Sequence, residues 1–146
     1  MDTNINQVLL VQDINPNVVD GYGGSTFPES SFPRNLFEFG DRLYFAADND
    51  ENGVELFVSD GTREGTQLLA DINPSFSSGS YRPYLEPMGE DSEMVVNSFP
   101  NSSNPSNFVE FSDRLYFAAD NGENGNELYV TDGTAEGTQL VVDLRP

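Results

Sequence analysis

Asp41 to Pro74, DRLYFAADNDENGVELFVSDGTREGTQLLADINP, returns as Asp113 to Pro146, DRLYFAADNGENGNELYVTDGTAEGTQLVVDLRP. Extended back to Arg34 and Ser106, the copies align over 41 residues without a gap, and 28 of those positions are identical. Each residue of the first copy stands 72 positions before its mate. Self-similarity on this scale marks a structural unit used more than once, so the repeat sets the fold.

Within the unit, short runs of Leu, Phe, Tyr and Val alternate with turn residues, a pattern of strands rather than helices. Four strands are expected in the first copy: Asn35 to Phe39, Leu43 to Asp48, Glu55 to Asp60 and Thr66 to Ile72. A tight turn at Gly40-Asp41, a polar loop at Asn49 to Gly53 and a turn at Gly61 to Gly65 join them as an antiparallel meander. The fold class expected is therefore all-β, with two tandem four-stranded meanders.

Around the repeats the chain divides as follows. Residues 1–16 end in Val8 to Pro16, which matches Leu68 to Pro74 and reads as the last strand of a preceding repeat that is cut away. Residues 17–33, rich in Gly, Pro, Ser and Asn, read as a surface loop. Residues 34–74 are the first unit, 75–105 a longer connection with a further strand at Glu93 to Phe99, and 106–146 the second unit. Unpaired edges invite association. The partners expected are further repeats of the same chain or a homo-oligomer, with Val8 to Ile14 the most obvious candidate for pairing.

Net charge is −19, from 25 acidic and six basic residues. Such a surface repels phosphate backbones, which disfavours nucleic acid as a partner. No apolar run is long enough for a membrane-spanning helix, and the N-terminus has no basic residue before its short apolar run, so no secretory signal is read there. Cysteine and histidine are absent and all six basic residues are arginine. Disulfides, thiolate chemistry and the Ser-His and Cys-His arrangements are therefore excluded.

Three motifs carry candidate chemistry. Asp60 to Thr66, DGTREGT, reads as turn chemistry: Asp bonds backbone two residues on, and glycine supplies positive φ. Asp48 to Gly53, DNDENG, is similar to a Ca²⁺ loop of the form D-x-D-x-N-G, with oxygens from Asp48, Asp50, Asn52 and Glu55, and from Asp120, Asn124 and Glu127 in the second copy. Ser59 stands where an EF-hand needs a bidentate Glu, and Gly122 replaces Asp50. Glu55 and Glu127 open the aromatic strands, and pairing with Arg42 and Arg114 is expected of them, with capping of loop N–H groups the other reading.

Glu55 to Thr66 and Glu127 to Thr138 resemble the ELWxxDGTxxGT repeat family of bacterial proteins, often long and surface-associated or secreted. Phe57 and Tyr129 stand in place of the tryptophan. The unit also resembles a blade of a kelch-type β-propeller, with Ala46-Ala47 and Ala118-Ala119 where kelch has two glycines. A propeller ring closes with about four to eight blades, so an incomplete propeller or open stack is expected. The resemblance implies an extracellular or cell-surface location and a non-enzymatic scaffold for adhesion or recognition of a glycan or other surface ligand. The rival expectations are a fragment of a glycan-acting propeller enzyme and a Ca²⁺-stabilised structural repeat. No catalytic residue and no organic cofactor is assigned.

Overall fold

The computed structural model describes residues 9–81 and 95–144. Among these residues there are twelve strands and no helix. In chain order they are β1 (Val18–Asp20), β2 (Thr26–Pro28), β3 (Arg34–Phe39), β4 (Arg42–Asp48), β5 (Val54–Ser59), β6 (Gln67–Ala70), β7 (Phe76–Tyr81), β8 (Val95–Pro100), β9 (Ser106–Phe111), β10 (Arg114–Asp120), β11 (Asn126–Thr131) and β12 (Gln139–Val142).

The repeats are two antiparallel meanders, ordered β3-β4-β5-β6 and β9-β10-β11-β12. Their registers are copies: Ala47 faces Glu55 and Phe45 faces Phe57, as Ala119 faces Glu127 and Phe117 faces Tyr129. Even the irregularities repeat. The register slips at Leu56/Phe57 and at Leu128/Tyr129, and Asn35 and Asn107 sit in the left-handed region at φ 57° and 56°. Asparagine tolerates that conformation far better than a β-branched residue would.

Each meander is preceded by a two-stranded hairpin, β1-β2 or β7-β8. The first lies where a plain surface loop was expected. The second contains the expected extra strand: β8 starts at Val95 and pairs with β7, while Glu93 and Met94 lie outside the described residues. The strand expected at Val8 to Ile14 is not formed by its described residues. A strand needs a neighbour for its backbone groups, and none of the described strands pairs with this segment.

The core lies between the two meanders. Tyr44, Leu56, Val58 and Leu69 of the first unit meet Leu115, Phe117, Ala119 and Tyr129 of the second. Phe37 and Phe108 bring their rings to 6.4 Å across this layer. A smaller cluster on the other face of the first unit joins Phe45, Ala47 and Phe57 to Ile14 and Leu68. It is half of the main core in copy: Phe45, Ala47 and Phe57 correspond to Phe117, Ala119 and Tyr129, and Ile14 packs there as Ile72 packs on the second unit. Both faces of a central sheet must be covered, which is why β5 is buried from end to end.

Candidate functional site

Among the described residues, the most constrained carboxylate is that of Glu55 at the start of β5. The side chain is fully buried. Its Oε2 accepts the backbone N–H of Ile72 at 2.9 Å, within the first unit. Its Oε1 accepts the N–H of Ser103 at 2.8 Å, and the Ser103 hydroxyl donates to Oε2. Burial pushes the Glu55 carboxyl up from an ordinary 4.5 to about 7, against the opposing pull of these hydrogen bonds.

Ser103 belongs to the lead-in loop of the second unit. The loop is seated by backbone as well. Ser103 and Asn104 donate N–H to the Val54 carbonyl, each at 3.1 Å, and the Ser102 hydroxyl accepts Val54 N–H at 2.9 Å. The Ser103 carbonyl turns the other way and accepts Asp120 N–H at 2.9 Å. The loop is thus a plug, anchored in its own unit and inserted into a socket on the unit before it. Gly53 floors the socket, and a Cβ there would come within 2.6 Å of the Asn101 carbonyl oxygen.

Sequence reasoning offered Glu55 as a metal ligand, as a partner of Arg42 and, as the other reading, as a cap for loop N–H groups, and the structure uses it as the cap. Arg42 pairs with Phe39 at the far end of β4, five residues from Ala47, which faces Glu55. At the rise of a strand that is about 16 Å. Serine at 102 and 103 went unrecognised as part of the unit. The signal was present: Phe27-Pro-Glu-Ser-Ser-Phe-Pro33 repeats as Phe99-Pro-Asn-Ser-Ser-Asn-Pro105 at the same spacing of 72.

The other sequence-predicted oxygens are spread out. Asp48 Oδ1 accepts the N–H of Asp50 at 2.9 Å. Asp50 Oδ2 accepts from Asn17 Nδ2 at 3.0 Å, and the Glu29 carboxyl, when protonated, donates to the Asp50 carboxylate. That bond holds Glu29 above the usual carboxylate range and Asp50 below it. Asn52 donates to Asp71 at 2.8 Å. In the second copy Asp120 caps Gly122, Asn124 donates to Asp143 at 2.8 Å, and Glu127 accepts Leu144 N–H at 3.3 Å. Among the described residues no three carboxylates converge on one point.

The DGTxxGT segments are closed turns. Asp60 Oδ1 accepts both the N–H and the hydroxyl of Thr62, at 2.9 and 2.6 Å. Thr62 Oγ1 accepts Gly65 N–H at 3.0 Å, and Thr66 Oγ1 donates to the Thr62 carbonyl at 2.7 Å. Asp132, Thr134, Gly137 and Thr138 repeat the arrangement. The threonine bonds hold Asp60 and Asp132 below the usual carboxylate range. A Cβ at Gly65 or Gly137 would run into the aspartate carboxylate, so any larger residue there must push that side chain out of the turn.

Comparison with protein-family models, with curated proteins and with solved structures returned no match.

Proposed function

We propose that this chain is a non-catalytic β-repeat module of a bacterial surface or secreted protein, related to the ELWxxDGT repeats and serving as a scaffold for adhesion or ligand recognition. One observation carries the reading. Glu55, the most buried carboxylate of the repeat, spends both oxygens joining one unit to the next. Asp60 and Asp132 are spent in the same way inside their turns. A glycosidase needs two carboxyl groups facing an open cleft across the scissile bond. In this repeat the best-placed carboxylates face backbone N–H groups. Exposed loops carried by a rigid stack are the usual place for recognition.

The test is a panel of polysaccharides and glycans incubated with the purified chain. Binding or no interaction, in either case without release of reducing ends, is the expected result. Sustained turnover, abolished by substitution of a carboxylate, would replace the scaffold reading with the glycan-acting one.

A further inference from the structure

The plug and socket that join the two units are each present a second time at the opposite ends of the stack, without a partner among the described residues. On the first unit, Ser31 is the counterpart of Ser103. Its carbonyl accepts Asp48 N–H at 2.8 Å, as Ser103 accepts Asp120. Phe32 has φ 43° where Asn104 has 50°, so the loop takes the same course. Yet among the described residues neither the N–H nor the hydroxyl of Ser31 has a hydrogen-bond partner. On the second unit, Glu127 is the counterpart of Glu55. It keeps the bond within its own unit, to Leu144 N–H, while its Oε1 accepts from no described group. Gly125 repeats Gly53 at φ +76° but has open space above it.

The apolar faces match as well. Leu56 and Leu69 are buried against the second unit, whereas their counterparts Leu128 and Val141 are 39% and 44% exposed. Val109, counterpart of Phe37, is exposed on the same face, and Leu36, counterpart of Phe108, is exposed on the first unit's outer face.

From this complementarity we infer that the outer face of the second unit is a docking surface for a second copy of this chain, head to tail, with Glu127 receiving the N–H and hydroxyl of the incoming Ser31. The occupant is specified by the protein itself, because the two open surfaces are copies of the two halves of an interface the chain already makes. Such a heterologous contact propagates into rings or filaments rather than closing as a symmetric pair. Leu9 to Gln12 align with Gln67 to Ala70 at a spacing of 58, and so hold the place that the docking copy's β12 would take. No described strand pairs with that segment, and Leu9 and Leu10 are largely exposed; docking requires it to give way to the incoming strand, and Ile14, packed in the outer cluster, to cede its place to the incoming Leu144. The inference rests on the scaffold reading above.

Sedimentation velocity from micromolar to near-millimolar concentration tests it, using Glu127→Arg to block one end and Ser31→Arg to block the other. The wild-type chain should grow in size with concentration. Each variant alone should stay monomeric, its affinity for itself at least about tenfold weaker. The two variants mixed should form a one-to-one dimer and nothing larger, since one open socket and one open plug remain. Circular dichroism verifies folding, and Val109→Asp with Leu36→Asp serve as a second pair of blocks at exposed positions. A wild-type chain that is monomeric throughout, or a mixture that does not associate, overturns the proposal. So does a dimer indifferent to both Ser31→Arg and Leu36→Asp. Glycan turnover would sink the scaffold reading without touching these outcomes.

Discussion

Glu55 Oε1 and the backbone nitrogen of Ser103 lie 2.8 Å apart across 48 residues of chain. The same carboxylate holds Ile72 N–H, so one side chain ties the end of one repeat to the first loop of the next. The identical residue at 127 keeps only the Leu144 bond. One substitution made in the two copies should therefore cost different amounts. Glu55→Ala leaves buried donors without an acceptor and is expected to cost roughly 2–4 kcal/mol. Glu127→Ala, which loses one 3.3 Å bond to a single N–H, is expected to cost less, about 1 kcal/mol. Urea unfolding of both variants measures the difference. Equal costs would mean that the link between units contributes nothing.

The Glu55 carboxyl, buried, is pushed up from 4.5 to about 7. Its folded-state value is above its unfolded one, so between these limits the folded chain binds more protons than the unfolded chain. Stability therefore declines as pH rises from about 4.5 to about 7, and this group adds no further change above that. In Glu55→Gln the side chain is neutral throughout. The advantage of wild type over this variant should shrink across the window as pH rises. Urea midpoints at several pH values read it directly, and a constant gap would show that Glu55 does not titrate there.

How much of this was legible in the chain depends on distance. The meanders were readable because strand, turn and register are local and occur twice. The Asp60 turn was readable because every bond in it falls within seven residues. The socket was not, since it depends on two loops 48 residues apart whose only announcement is the pair Ser30-Ser31 and its echo Ser102-Ser103. Those serines sit in stretches of Gly, Pro, Asn and Ser that look like ordinary connection. The loop oxygens at Asp48, Asp50 and Asn52 look like a cation cage when written in a line. Folded, they accept from Asp50 N–H, Asn17 Nδ2 and Asn49 Nδ2 in turn.

Asp60 and Asp132 act in the opposite pH direction. Their folded values are depressed, first by the threonine hydroxyl and then by the threonine N–H. The stability they contribute is present above their unfolded value near 3.8 and is lost as pH falls through the folded one. Their contribution thus falls toward acid, whereas that of Glu55 falls toward neutrality. Thr62→Val removes the hydroxyl donor and should blunt the acid limb of the profile. A profile of unchanged shape in that variant would show that the turn does not set it.

Gly53 and Gly125 separate the backbone cost of a turn from the cost of the interface. Both have positive φ, +72° and +76°. Alanine at either is strained by about 1–2 kcal/mol. At 125 a new Cβ meets nothing, so that strain is the whole effect. At 53 the Cβ also comes within 2.6 Å of the Asn101 carbonyl oxygen and 2.8 Å of Ser102 Oγ. Backbone cannot swing aside as a long side chain does, so the lead-in loop must back out of its socket. That lengthens the Val54 bonds and loosens the Glu55 cap, adding about 1–3 kcal/mol. Gly53→Ala should thus be clearly the worse of the two, and hydrogen exchange at Ser103 and Asn104 should quicken in it and not in Gly125→Ala. Equal losses, with Ser103 still protected, would place the strength of the stack in its apolar layer alone.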